Sequence, residues 1–316
     1  MKRFLVVSTI ILLAALSSCQ KDENIAVSGV SITKSEFSLL VGHTEALTAI
    51  VVPIDATDPS VIWTTSNSAV ATVSTGGFVT FVTAVGEGNA TITAISRSSN
   101  FEATCSVIVI KATKPHQLWG LGINLTYDHS NNVNYEWYID QATTGVHRNM
   151  NCGPACATMV CKWANPDFTK TAEEARNAYP DVGPGWTYST VENYLMDNEI
   201  VYTSVGWLYN ANDIKNILDS GHIGIMGLNM FDVSMATGNP EWRKDRFYSA
   251  SPGMGHFIVI KGYKIVDEIT WFEVYDPWSY YARYDDGSLK GRDRYYKGSE
   301  LVNRTGMTII HKPEIE

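Results

Sequence analysis

A cysteine stands at the start of a predicted helix in NCGPACATMVCKW, residues 151–163. Gly153-Pro154 suits a first helical turn, where proline is tolerated, and Asn165-Pro166 ends the pattern. Because the start of a helix favours an anion and the thiolate is the attacking form of cysteine, this position suits a nucleophile. The sequence therefore predicts Cys152 as a catalytic nucleophile, and the alternative is a small apolar residue that packs the helix.

A thiolate needs a proton partner, and His256 is the best placed histidine in the sequence. It begins the apolar stretch GHFIVIKGY, and the next predicted strand, WFEVYDPW, contains Asp276 near its end. A short connection predicts an antiparallel hairpin, in which Asp276 can face His256 and fix its orientation. The alternative for His256 is an ordinary half-buried strand histidine, and His147 and His222 fit a polar loop and a strand edge.

Three motifs, NCGPA (151–155), GHFIVIKGY (255–263) and VYDP (274–277), resemble the papain-like fold of the bacteriocin-processing, double-glycine-leader cysteine-peptidase superfamily. The resemblance covers residues 138–316. It implies that Cys152 is the nucleophile, that His256 is the general base and then the acid, and that Asp276 orients the histidine. The family also has a glutamine upstream of the cysteine that helps to bind the oxyanion, and Gln141 is the candidate here.

The resemblance implies cleavage of peptide or protein amide bonds through a thioester, with no cofactor. The leader-peptide substrates of the transporter-linked members are not carried over, because those enzymes work inside a membrane complex. Extracellular proteins or peptides are the expected substrates. Two alternatives remain open: another thiol acyl-transfer enzyme, such as a cell-wall amidase or a transglutaminase-like protein, and a catalytically inactive adhesin or binding protein.

Helical and strand patterns alternate between these motifs, so the domain is predicted to be α+β. TAEEARNAY and STVENYLMDN carry capping-box signatures, and NDIKNILDSG is a third short helix. Residues 231–255 form a long polar and aromatic segment that leads to His256. This segment is either a lid over the cleft or a plain surface excursion.

Short alternating apolar runs rich in Val, Ile and Thr occupy residues 27–110 and predict an all-β sandwich with Trp63 in its core. WTTSNSAVATV, GFV and GNATIT within it resemble the group 2 bacterial immunoglobulin-like domain. That family implies a spacer or an adhesion module, and a spacer is the simpler interpretation. Residues 111–137 lack a regular period and are predicted to be a linker.

The N-terminus reads as an export signal. Two basic residues precede an apolar run that is too short to span a bilayer, and the small residues that follow end at Cys19. LSSC resembles the lipobox of bacterial lipoproteins, which implies a signal peptide at 1–18, lipid attachment at Cys19 and a tether at 19–26. We therefore expect a protein anchored by lipid to the bacterial outer membrane and exposed at the cell surface, and the alternative is an orientation toward the periplasm.

Composition narrows the remaining function classes. A net charge of −9 makes nucleic acid an unsuitable partner, and 45% hydrophobic residues suffice for globular cores. With Cys19 assigned to lipid, few cysteines remain for a chain of this size, so free thiols are expected rather than a disulfide framework. No group of His, Cys and carboxylate residues has the spacing of metal ligands.

Overall fold

The computed structural model describes residues 24–180, 185–303 and 305–313. Within them an all-β sandwich precedes an α+β domain, as the sequence predicts, and each part has hydrophobic core clusters of its own. The sandwich core contains Trp63, whose indole N–H donates to the carbonyl oxygen of Gly77 over 3.1 Å.

Two four-stranded sheets form the sandwich, one in the order β1-β3-β6-β5 and the other in the order β2-β8-β7-β4. Buried and exposed residues alternate along its strands, which is the pattern of a sheet with one face on a core. The strands are β1 (Gly29–Ile32), β2 (Glu36–Leu40), β3 (Thr44–Val52), β4 (Val61–Thr65), β5 (Ala71–Val73), β6 (Val79–Ala84), β7 (Gly88–Ser96) and β8 (Glu102–Ile110).

The second domain is built around one seven-stranded sheet with the order β10-β15-β11-β12-β13-β14, and β9 pairs with β12. Its strands are β9 (Leu125–Ser130), β10 (Tyr202–Val205), β11 (Ile223–Asn229), β12 (Gly255–Val266), β13 (Ile269–Tyr275), β14 (Arg294–Lys297) and β15 (Met307–Ile310). The helices are α1 (Pro115–Leu118), α2 (Cys152–Ala164), α3 (Ala172–Ala178), α4 (Tyr188–Asp197), α5 (Ala211–Asp219) and α6 (Gly298–Leu301).

The segment predicted as a linker, 111–137, is largely part of the second domain. β9 pairs antiparallel with the second half of β12, and Trp137 is buried in the core that lies beneath α2. The sequence pattern missed β9 because most of its side chains are exposed, so no alternation of apolar and polar residues marks the strand. At the other end of the sandwich, the Ile25 N–H donates to Thr57 Oγ1 over 2.9 Å. The last residues of the expected tether, 19–26, are therefore attached to the sandwich.

Two features of this fold position the candidate site. α2 packs against β12, which brings the start of the helix to the start of the strand. β12 and β13 form the predicted antiparallel hairpin, so the end of β13 lies beside the first half of β12.

The sandwich touches the second domain through Trp242, which lies in the segment before β12. The Trp242 ring centre is 4.3 Å from that of His43, in the turn between β2 and β3. Gly120 makes room for the indole, since a Cβ there would lie 2.5 Å from Trp242 Cγ. The segment that leads to His256 is therefore in contact with the first domain.

Candidate active site

Cys152 is the first residue of α2 and is partly buried. Asn151 precedes it and is fixed by two hydrogen bonds, from Nδ2 to the Thr144 carbonyl oxygen over 2.9 Å and to Thr144 Oγ1 over 3.1 Å. The backbone N–H groups of Gly153 and Phe257 donate to the sulfur. The thiol thus lies where the helix start and two donors favour its ionised form.

His256, at the second position of β12, links the thiol to a carboxylate. Its Nε2 lies 2.7 Å from Asp276 Oδ1, and Cys152 hydrogen bonds to the same imidazole. Because Nε2 is engaged by Asp276, Nδ1 is the ring nitrogen left for Cys152. The structure therefore brings together the three residues that the sequence singled out.

Ionisation in this group is strongly coupled. Burial lowers the pKa of His256, but the charge and hydrogen bond of Asp276 and the contact with Cys152 outweigh it and raise the pKa from 6.5 to about 10. Burial raises the pKa of Cys152, yet the hydrogen bond and charge of His256 and the two backbone donors bring it below 9.0. Burial likewise opposes ionisation of Asp276, and His256 lowers its pKa on balance. The pattern favours a thiolate, an imidazolium and a carboxylate in series.

The Asp276 backbone is held on both sides. Its N–H donates to the Gly291 carbonyl oxygen over 2.8 Å, and its own carbonyl oxygen accepts from Tyr138 Oη over 2.7 Å. A Cβ on Gly291 would lie 1.9 Å from the Asp276 carbonyl oxygen, so only glycine permits this approach. The fixed backbone aims the carboxylate at His256.

Sequence patterns did not reveal two tyrosines, Tyr248 and Tyr296, that bind the same carboxylate. Tyr248 Oη donates to Asp276 Oδ2 over 2.8 Å, and Tyr296 Oη donates to the same oxygen over 2.5 Å. Tyr248 lies before β12 and Tyr296 lies in β14, far apart in the sequence. No spacing rule connects such distant residues, and tyrosine is common in cores, so nothing in the sequence marked them.

The segment over residues 231–254 is fastened by two buried arginines. Arg246 donates from Nε to the Val233 carbonyl oxygen over 2.8 Å. Arg294 of β14 donates from Nε to the Asp245 carbonyl oxygen over 2.7 Å and from Nη2 to that of Lys244 over 2.8 Å. These bonds within the domain favour a fixed segment over a mobile lid, and they deliver Tyr248 to Asp276.

Gln141 begins a short 3₁₀ turn that lies against the residues following Asp276. Its backbone N–H donates to the Pro277 carbonyl oxygen over 2.7 Å, and its side-chain Nε2 donates to the Arg148 carbonyl oxygen over 2.6 Å. Gln141 lines the same cleft as Cys152. One Nε2 hydrogen is used by Arg148, which leaves the second for an oxyanion.

The cleft above Cys152 has a volume of about 630 Å³. Trp278 forms one wall, with its ring centre 6.0 Å from that of His256, and Trp186 lies against the start of α2. Among the described residues that line it, His256 is the sole side chain that can carry a positive charge, and none is an aspartate or glutamate. The remaining lining consists of glycines, apolar and aromatic side chains, and amides.

The other cysteines of the described chain are free thiols. Cys105, Cys156 and Cys161 are buried, and burial raises the pKa of each. Cys19 falls outside the described residues. Within the described ranges, no cluster of three or more His, Cys, Asp or Glu has the arrangement of a metal site, and no helix is both long and apolar enough to cross a bilayer.

Family models match both parts of the chain. The bacterial Ig-like domain (group 2) matches residues 26–107, and the Peptidase_C39 like family matches residues 131–300, more than half of the chain. The chain belongs to the Peptidase_C39-like family. The C39-like match includes all four predicted site residues, Gln141, Cys152, His256 and Asp276.

Individual relatives are similar to parts of this C39-like protein. An uncharacterized protein of Clostridium acetobutylicum is 38% identical over 98 residues, which cover 31% of this chain and 24% of the relative. An alpha-L-arabinofuranosidase of Bifidobacterium longum subsp. longum is 36% identical over 85 residues, which cover 27% of this chain and 8% of that enzyme. The matches thus span less than a quarter of each relative's length.

Among solved structures, domains 1–6 of the surface layer protein SbsC match with a TM-score of 0.26 and 22% identity, covering 29% of this chain and 14% of that one. The PKD domain of human KIAA0319 matches with a TM-score of 0.19 and 14% identity, covering 31% of this chain and 95% of that one. Similarity at this level gives no information about function.

Proposed function

We propose that the chain is a cysteine peptidase that cleaves amide bonds in extracellular peptides or proteins. The observation that carries the proposal is the continuous hydrogen-bonded series from Cys152 through His256 to Asp276, at the start of a helix and beside a cleft. A nucleophile, a base and a residue that orients the base are the parts that acyl transfer through a covalent intermediate requires.

In the proposed mechanism, the Cys152 thiolate attacks the carbonyl carbon of the substrate amide. The backbone N–H of Cys152 and the Gln141 side-chain amide stabilise the oxyanion that forms. The His256 imidazolium gives its proton to the leaving amine as the C–N bond breaks. Neutral His256 then takes a proton from water as water attacks the thioester, and the C–S bond breaks to release the carboxylic acid and return the thiolate–imidazolium pair. Asp276 keeps the imidazole aimed at the sulfur throughout.

The lining of the cleft supports uncharged peptide segments as substrates. A charged side chain bound there would lose water without meeting an opposite charge, because the described lining contains no acidic residue and its one titratable cation, His256, is already paired with Asp276. Aromatic walls at Trp186 and Trp278 offer apolar contact instead. Peptides with uncharged residues beside the scissile bond are therefore the first substrates to try.

Alkylation of Cys152 at different pH values tests the proposal without knowledge of the substrate. Wild type, His256→Ala and Cys161→Ala are treated with iodoacetamide between pH 4 and 10, and the modified residues are identified by mass spectrometry. Selective alkylation of Cys152 well below the pH of an ordinary thiol, lost in His256→Ala and kept in Cys161→Ala, is the expected result. Slow, equal alkylation of all thiols in each variant would instead support an inactive binding protein.

We also propose that Cys19 carries the lipid that anchors the protein to the outer membrane, with the catalytic domain exposed outside the cell. The predicted export signal and the lipobox-like LSSC support this proposal. Expression of wild type and Cys19→Ser in a bacterial host, followed by detergent phase partition and mass spectrometry of the N-terminal peptide, tests it. A wild-type peptide without added lipid mass would refute the anchor.

A further inference from the structure

Asp276 receives four hydrogen bonds on its side chain. Oδ1 accepts from His256 Nε2 over 2.7 Å and from the Trp278 backbone N–H over 2.9 Å, and Oδ2 accepts from Tyr248 and Tyr296 over 2.8 and 2.5 Å. One oxygen thus serves the histidine, and the other is occupied by two phenols. Because Asp276 is fully buried, its second oxygen also needs hydrogen-bond donors, and the two phenols supply them.

The two phenols come from separate parts of the fold. Tyr296 is carried by β14, which pairs with β13 immediately before Asp276. Tyr248 is carried by the segment before β12, where Arg246 Nη1 holds the Tyr248 carbonyl oxygen. Tyr296 is fully buried and Tyr248 is half-buried, and neither lines the cleft. Both hydroxyl groups therefore reach the site through Asp276, and the Tyr248 ring also packs against His256 and Trp278, with ring centres 6.2 and 5.7 Å away.

Both phenols remain neutral donors at any pH suited to a thiol enzyme. Burial raises the pKa of Tyr248 and of Tyr296 well above 10, and the charge of Asp276 raises each further. A neutral donor cannot be lost by titration in the working range, so these hydrogen bonds are permanent parts of the folded site.

We propose that Tyr248 and Tyr296 are positioning residues that hold the Asp276 carboxylate toward His256 and limit how strongly it attracts the imidazolium. This proposal deepens the function proposed above and rests on it for the role of the triad. Their hydrogen bonds fix the orientation of the carboxylate and draw negative charge toward Oδ2.

The electrostatic consequence has a definite sign. Donors on a carboxylate stabilise its charge and weaken its field at a neighbouring cation. Removal of one phenol therefore strengthens the attraction between Asp276 and protonated His256, so the pKa of His256 should rise. A more tightly held proton is also a poorer acid toward the leaving amine, so turnover should fall.

Other groups near this assembly do not reverse that sign. The titratable or charged side chains that face His256, Asp276 and the two phenols, from every packed element, are Cys152 and Cys156 of α2, Tyr138, Arg294 of β14, and Arg246 of the segment before β12, which stays charged. Cys156 and Tyr138 have raised pKa values and stay neutral, and Arg294 stays charged throughout. None changes charge between a phenol variant and the wild type.

The test follows the rate of Cys152 alkylation between pH 5 and 11 in the wild type, Tyr248→Phe, Tyr296→Phe and the double variant. The upper inflection, which reports loss of the His256 proton, should rise by about half a pH unit in each single variant and further in the double variant. Where a peptide substrate is available, kcat should fall roughly tenfold with KM unchanged, because the substitutions remove hydroxyl groups that do not line the cleft and keep the aromatic rings.

Tyr295→Phe is the matched control. It makes the same chemical change one residue along β14, on the opposite face, where Tyr295 stacks on Trp119 with ring centres 5.5 Å apart. Its upper inflection should stay at the wild-type pH. Melting temperatures of all variants show whether each one folds, and 3-fluorotyrosine at position 296, a stronger donor, should move the inflection downward.

Alkylation separates failure of this proposal from failure of the proposed function. A folded Tyr296→Phe variant whose inflection is unchanged or lower would overturn the positioning role, even in an enzyme that cleaves peptides. A raised inflection in a protein that cleaves no peptide would support the positioning role while the peptidase proposal fails.

Discussion

The sulfur of Cys156 lies 3.3 Å from the carbonyl oxygen of Phe257. Cys156 follows Cys152 by one turn of α2. The N–H of the same Phe257 donates to the Cys152 sulfur. Phe257, which follows His256, is therefore bound by two cysteines of α2. Its N–H contacts Cys152 and its carbonyl oxygen contacts Cys156. These two contacts set the position of the helix start against β12, and so the position of the thiol against the imidazole.

Replacement of Cys156 by alanine should weaken this alignment. We expect a loss of about 1–2 kcal/mol in the free energy of unfolding, because a buried carbonyl loses a partner and a small cavity forms. We also expect alkylation of Cys152 at pH 7 to slow by several-fold. Urea unfolding and the alkylation rate measure the two effects.

Cys161→Ala is the control for that experiment, since Cys161 is buried in the same helix and has no hydrogen bond to Phe257. Cys156→Ser keeps a donor and should recover most of the alkylation rate. Equal alkylation rates in Cys156→Ala and wild type would show that α2 holds its position without this contact.

The dependence of stability on pH should change when serine replaces Cys152. Alone, His256 contributes stability that is complete below pH 6.5 and is lost as the pH rises toward its folded pKa of about 10. Alone, Cys152 contributes stability that is present above pH 9.0 and is lost as the pH falls, because folding lowers its pKa from that value. Between pH 6.5 and 9.0 the folded and the unfolded pairs each bind one proton, so their opposite dependences on pH cancel and the stability of the wild type does not vary with pH through this pair.

Serine at position 152 exposes the histidine contribution by itself. The free energy of unfolding should then fall as the pH rises above 6.5, by up to about 1.4 kcal/mol per pH unit. The decline should end below pH 10, because the loss of the thiolate lowers the pKa of His256. Urea unfolding at half-unit intervals between pH 6 and 9 measures the slope.

Cys161→Ser serves as the comparison, because burial raises the Cys161 pKa to about 12 and keeps this thiol protonated in the folded chain. Its stability curve should run parallel to that of the wild type up to about pH 8, below the range in which the Cys161 thiol ionises in the unfolded chain. Parallel curves for Cys152→Ser as well would mean that the folded protein holds a neutral thiol and a neutral imidazole.

The sequence was enough to predict site residues that lie at the start or end of a helix or strand. Cys152 begins a helix, His256 begins a strand and Asp276 follows the paired strand, so local patterns predicted their arrangement. Tyr248 and Tyr296 could not be found in this way, because what they share is a hydrogen bond to Asp276. Tyr248 lies in the segment before β12, Tyr296 lies in β14 and Asp276 follows β13, so only the folded chain brings them together.

The same limit explains the boundary of the second domain. β9 has almost no buried side chains, and its place in the sheet depends on backbone pairing with β12. Backbone pairing leaves no mark on hydrophobic periodicity when both faces of a strand are exposed. The buried arginines that fasten the segment before β12 were equally hidden, since a sequence does not distinguish them from surface arginines.

Gln141→Ala should leave a folded but weak enzyme. Removal of one oxyanion donor typically lowers kcat by a hundredfold or more, whereas Cys152→Ala should abolish turnover. KM should change little, because the interaction forms in the transition state. Steady-state kinetics on a peptide substrate provides the measurement.

Gln117→Ala is the matched control, because Gln117 accepts from the backbone of Thr113 and Lys114 and lies outside the cleft. Its kcat should equal that of the wild type. A Gln141→Ala enzyme with full kcat and a lowered melting temperature would assign Gln141 to holding the Arg148 loop and not to the oxyanion.

A chain shortened to begin at Lys111 should fold and keep a reactive Cys152. The cores of the second domain contain no residue of the sandwich, and β9 and α1 are retained. The sandwich contact at His43 is lost, so Trp242 gains exposure and its fluorescence should move to longer wavelength. Trp242→Phe is also made in the full-length and in the shortened chain to identify the source of that change. The difference in fluorescence wavelength between the two lengths should vanish when Trp242 is absent.

The alkylation rate of Cys152 in the shortened chain then decides the role of the sandwich. A rate equal to that of the full chain fits a spacer, because the buried arginines Arg246 and Arg294 hold the segment that carries Tyr248 from within the second domain. A folded short chain with slow alkylation would show that the contact between His43 and Trp242 is needed to seat that segment, and the first domain would then be part of the enzyme.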